Sequence, residues 1–160
     1  MTYEALQEMG LEERAPEIAE VMGLMIRAER DLATARLLQD KDEEWSYAAA
    51  YQAMARSGRA LILSEGYRPK GARSRDTHKT VVTAAAVILG EKFKSLINKF
   101  DRMRRKYQNF MAESVSVVSR YEAGQSIKDA DEFFGLVSAR LKEKYSQMSL
   151  LNDAPQLVSR

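Results

Sequence analysis

Three prolines, Pro16, Pro69 and Pro155, and eight glycines leave this chain of 160 residues with few places where a helix must stop. Proline removes a backbone donor and clashes with the preceding turn, and glycine raises the entropic cost of ordering the backbone, so their scarcity makes helix the default. The intervening stretches are rich in Ala, Leu, Glu, Lys, Arg and Met, and no sheet is expected. Apolar spacing then divides the chain. Ile18, Val21, Met25, Ala28, Leu32 and Ala35 recur at three- and four-residue steps, predicting a first helix from Pro16 to about Gln39. The run "QDKDEE" supplies Asp42 or Asp40 as N-cap for a second helix over about 43–65, which Gly66 ends. Its Ala48, Ala49, Ala55 and Gly58 allow a neighbouring helix to come close.

"GYRPKGARS" reads as a loop, and a third helix begins near Asp76 and runs through "VVTAAAVIL", whose interior looks buried on most sides. After Gly90 a fourth helix carries Phe93, Leu96, Ile97, Phe100, Met103, Tyr107 and Phe110 on one face. Ser119 and Glu122 have capping-box spacing ahead of a fifth helix over about 120–145, with Ala123, Ile127, Ala130, Phe134, Val137 and Leu141 as its stripe. The expected fold is all-α, an up-down bundle of about five helices over residues 15–145. An N-terminal arm or short helix over 1–14 precedes it, and an aperiodic C-terminal tail over 146–160 follows.

Composition narrows the chemistry. With 45% hydrophobic residues the chain can bury one core, and its net charge of +2 leaves any basic surface a local matter. There is no cysteine, which excludes disulfides, thiolate zinc sites and cysteine nucleophiles. The longest strongly apolar run, Val81 to Leu89, is far short of the ~20 residues of a spanning helix, so a soluble, cytoplasmic protein with no membrane contact is expected. No cofactor or metal is expected either. "GYRPKGA" has the glycine separation of a phosphate-binding loop, but Ala72 stands where the lysine is needed and the segment follows a helix rather than a strand. Asp129, Asp131 and Glu132 read as a solvated face.

His78 is the one histidine, hence the one side chain whose ordinary pKa lies near neutrality. Arg68, Lys70, Arg73, Arg75 and Lys79 crowd the same loop and helix start, where free N–H groups add to the attraction for an anion. A second set of cations, Arg102, Arg104, Arg105 and Lys106, lies in "FDRMRRKYQNFMAES". In an up-down bundle the fourth helix returns toward the loop from which the third departs, so its C-terminal half approaches His78. The two basic segments then converge, with Arg104, Arg105, Arg73, Arg75 and Lys79 as phosphate-binding candidates. The plainer reading makes most of these cations a wetted helix surface, except Arg104, four residues after Phe100 and at the edge of the buried stripe.

Taken in order, "RDLATARLL", "YAAAYQAMARSGRALILSEGYRP", "THKTVV", "LINKFDRMRRKYQNFM" and "SRYEAGQSIKDADEFFGLV" resemble the successive helices of the HEPN family, the higher eukaryotes and prokaryotes nucleotide-binding domains. The resemblance implies a five-helix bundle that commonly dimerises. Many members are metal-independent ribonucleases, and others are toxins or partners of small nucleotidyltransferases. Their motif is an arginine followed after four to six residues by a histidine near the end of the fourth helix. Such a pair can hold a phosphate by two charge-assisted hydrogen bonds and move protons at the 2′-hydroxyl. Here Tyr107 falls where the arginine belongs and Ala112 where the histidine would be, so the motif is degenerate.

The resemblance and the two converging basic segments together lead to the expectation of a homodimeric nucleotide- or RNA-associated binding module, the segments placing Arg104 and Arg105 on phosphates and His78 as a secondary contributor. Two rivals stand beside it. One is a toxin-like ribonuclease using the noncognate set of His78 with Arg104 or Arg105. The other is a protein-interaction partner of a nucleotidyltransferase in a toxin–antitoxin type pair.

Overall fold

The computed structural model describes residues 3–71, 75–112 and 118–145, and over them the apolar spacing becomes helix. A short α1 (Tyr3–Glu8) precedes five long helices: α2 (Ile18–Leu38), α3 (Glu43–Ser64), α4 (Arg75–Leu89), α5 (Lys94–Ala112) and α6 (Arg120–Lys144). A 3-10 turn over Glu91–Phe93 leads into α5. Local chemistry sets the ends. Asp42 accepts a hydrogen bond from the Trp45 amide at 3.0 Å, and Ser119 with Glu122 forms a reciprocal capping box. Gly66 and Gly90, at φ +91° and +80°, end α3 and α4 in the left-handed region that a side chain resists.

The fold is an all-α bundle built round α3, against which α2, α4, α5 and α6 all pack. Its small residues explain the arrangement. A Cβ on Gly58 would lie 2.8 Å from Val81 Cγ1 of α4 and 3.3 Å from the Phe100 ring of α5, so glycine here lets both helices close on α3. Phe100 fills the centre, with its ring centroid 6.2 Å from Tyr51 and 5.0 Å from Phe133. Each fully buried side chain of this size contributes about 1.5–3 kcal/mol.

Four expectations change. Residues Leu11–Glu13 (β1) and Tyr67–Pro69 (β2) form a small antiparallel ribbon where no sheet was expected, with Leu11 opposite Pro69 and Glu12 opposite Arg68. Three residues are too few to show period-two alternation, and the pairing joins segments more than fifty residues apart, so local pattern does not announce it. Leu11, only 1% exposed, anchors the ribbon in the core. In α6 the buried aromatic is Phe133 and not Phe134, because the step from Ala130 is three residues rather than four. Asp129 is not on a solvated face: it is 7% exposed, accepts from Gln125 Nε2 at 3.0 Å and sits 3.5 Å from Lys99 Nζ. In α4 burial is one-sided, with Val81, Val82, Ala84, Ala85 and Leu89 inside and Val87 exposed. Among the described residues no helix is long and apolar enough to cross a membrane.

Candidate functional site

Three helices bring polar side chains together beside the start of α4. From α3, Tyr51 reaches His78 of α4, with its hydroxyl oxygen 2.6 Å from Nδ1. From α5, Tyr107 closes the group: its ring centroid lies 4.5 Å from that of Tyr51 and 6.1 Å from that of His78. Gln52 Nε2 donates to the Tyr107 hydroxyl at 2.9 Å. Helical periodicity alone accounts for the convergence, since Tyr51 lies on the α3 face that meets α4 and α5, and Tyr107 continues the stripe seven residues after Phe100.

The electrostatics favour neutral rings among fixed cations. Burial pushes the Tyr51 phenol well above its ordinary pKa, against the opposing field of Arg104 and Arg59. His78 is shifted the other way, first by burial and then by Arg59 and Arg104, which both resist a further positive charge. With the phenol protonated and the imidazole neutral, this contact is one hydrogen bond, donated by the Tyr51 O–H to Nδ1 in one neutral tautomer and by Nδ1–H to the phenol oxygen in the other.

The predicted cations separate into distinct surroundings. Arg104 does come to His78, yet its guanidinium is committed: it donates to Asp101 Oδ1 through Nε at 2.9 Å and to Gln108 Oε1 at 3.0 Å, and its side chain is 12% exposed. Arg105, 64% exposed, shares the other Asp101 oxygen at 3.3 Å. Lys106 turns to α6, where it pairs with Glu122 and lies 5.9 Å from the Tyr47 ring centroid. Lys79 is exposed on α4. Arg73 lies outside the described residues, and Arg75 and Ala112 are described only as backbone, the first residue of α4 and the last of α5. Arg68 belongs to the ribbon, where it donates to Glu12 at 2.5 Å.

Sequence reading passes over the residue best placed to meet an anion. Arg59 of α3 is half-buried, acts electrostatically on both Tyr51 and His78, and makes no hydrogen bond or ion pair among the described residues. A signal for it exists: Gln52, Arg56 and Arg59 form a polar stripe at helical spacing along an otherwise small and apolar helix. Arg56 of that stripe turns instead to Asp31 of α2. Asp101, which compensates two arginines at once, is the second omission, although it stands three and four residues before them on the same helix. Among the described residues no group of three His, Cys, Asp or Glu side chains is arranged to hold a metal ion.

Comparison with known families gives one match, the HEPN domain, over residues 21–143. No curated protein and no solved structure matches the chain.

Proposed function

Because the chain belongs to the HEPN domain family, we propose that it is a nucleotide- or RNA-associated binding module whose phosphate-contacting face centres on His78, Arg59 and Lys79. The observation that carries this reading is the pairing of His78 with two nearby arginines, of which Arg59 has no carboxylate partner among the described residues. Arg59 supplies the uncommitted contact. Arg104, held by Asp101, acts as a fixed positive wall, and Arg105 extends the basic surface outward. The reading includes the loss of the family's nuclease centre. Tyr107, at the position where the family's arginine falls, packs on Tyr51 and hydrogen-bonds Gln52, a packing role in place of a phosphate contact.

Fluorescence anisotropy with a labelled single-stranded RNA tests the proposal. Affinity should fall steeply as salt rises, because phosphate contacts release counterions. Binding that is absent, or indifferent to salt, would remove the reading. The module is further proposed to be a homodimer, which light scattering in solution would decide.

One observation supports a ribonuclease as the second reading. The Tyr51 bond holds the His78 ring in place, which is what a proton-transferring imidazole requires. Cleavage of RNA in chelator, lost in His78→Ala, would select it over a module that only binds.

A further inference from the structure

Beside Arg59, a cleft of about 260 Å³ opens between α2, the end of α3, β2 and the start of α4. Its apolar lining comes from Leu24, Leu63 and Pro69, and its polar lining from Arg59, Arg68 and the buried Thr77. Glu20 completes the rim. The charges are not equivalent. Arg68 is bound to Glu12, and Glu20 is bound to Arg14 at 3.1 Å, so both rim charges are satisfied by partners outside the cleft. Arg59 alone of the charged lining residues has no ion pair among the described residues.

A half-buried guanidinium without a carboxylate, set beside a small apolar surface, is the complement of one ligand chemistry. An arginine binds a planar or tetrahedral oxyanion by two parallel N–H donors, and the partial exclusion of water strengthens that bond. The leucines and the proline ring favour a compact apolar body attached to it. We infer that this cleft binds a small organic oxyanion, its acid group on Arg59 and its apolar body against Leu24, Leu63 and Pro69. The volume limits the body to about the size of a single ring, below the 300–1,000 Å³ of drug-sized pockets. The site shares Arg59 with the phosphate-contacting face of the proposed function but is lined by Leu24, Leu63 and Pro69 and not by His78, and it does not require RNA.

The test is methyl and backbone NMR on the full chain, titrated separately with benzoate, phenyl phosphate and benzyl alcohol. Both anions should shift the Leu24 and Leu63 methyl resonances saturably, and the uncharged alcohol should do so at least tenfold more weakly. Arg59→Gln should weaken benzoate at least tenfold, while Arg68→Gln should change it less than twofold. Leu24→Trp, which fills the apolar side, provides a second variant should the Arg59 substitution fail to fold, and it too should abolish the shifts. Benzoate and phenyl phosphate distinguish a carboxylate from a phosphate preference, and saturable binding of either supports the inference. Shifts absent with both anions, equal with the alcohol, or undiminished in Arg59→Gln or Leu24→Trp would overturn it. Since the probes contain no nucleotide, failure here leaves the RNA-binding result to stand or fall on its own salt series.

Discussion

Tyr47 and Tyr51 stand one turn apart on α3, both buried, both with phenols pushed well above their ordinary pKa by burial, yet their surroundings have opposite sign. Tyr47 faces the start of α6, and the fields of Glu122 and Asp129 raise it further, with Arg102 opposing. Tyr51 faces α4, and Arg104 and Arg59 act to lower it, with Asp101 opposing. The difference teaches where an anion can go. A turn of helix moves a side chain about 5.4 Å along the axis and so from one neighbouring helix to another. The cations of α5 follow the same division: Lys106 neutralises the Tyr47 side through Glu122, and Arg104 is left beside Tyr51 and His78.

The largest effect is expected where the two regions share a foundation. Phe100 is fully buried between Tyr51 and Phe133, so Phe100→Ala should cost about 3–5 kcal/mol in urea unfolding. A loss below about 1 kcal/mol would mean that the two regions are supported separately. Next comes the division of charge. Arg59→Gln should weaken RNA binding about tenfold, or about 1.4 kcal/mol, whereas Lys106→Gln should change it less than twofold; equal losses would erase the contrast between the two sides.

Tyr51→Phe removes the hydrogen-bond partner of His78 Nδ1, for about 1 kcal/mol of stability. If the phenol donates to Nδ1, that bond favours the neutral ring and its loss should raise the His78 pKa, read from the imidazole proton shifts. An unchanged titration would show that the phenol does not hold the tautomer.

Acidification separates the regions by pH window, with the smallest effects. His78 titrates below the ordinary histidine value of 6.5, so the unfolded chain takes up the proton first, and stability is lost as pH falls from about 6.5 through the folded value. Glu122 is held below the ordinary glutamate value of 4.5, first by the hydrogen bond from Lys106, so its contribution is present above 4.5 and fades only on further acidification. Thermal melts should therefore lose the upper slope in His78→Gln and the lower slope in Glu122→Gln. A single shared window would contradict the division.

Much of this was legible beforehand. Asp42, the Ser119 and Glu122 box, and Gly66 and Gly90 mark helix ends through bonds made within a few residues, and the stripes of α2 and α5 show which faces are buried. The topological argument that the fourth predicted helix returns toward His78 agrees with the Tyr107 ring beside it. What was not legible is which charges are spent. Asp101 and Arg104 are neighbours on one helix and could have been suspected, but Glu122 lies sixteen residues from Lys106, and nothing local links them.

By itself, then, the sequence determined the helices, their order and their buried faces, because capping and periodicity act over one or two turns. It also determined the family, whose signal is the order of those helices. Only the tertiary structure decided that Arg59 has no ion pair among the described residues while Lys106 does, that Asp129 is buried, and that Leu11 closes a ribbon with Pro69. The physical reason is that desolvation and ion pairing depend on which helices become neighbours, a relation that no spacing along the chain records.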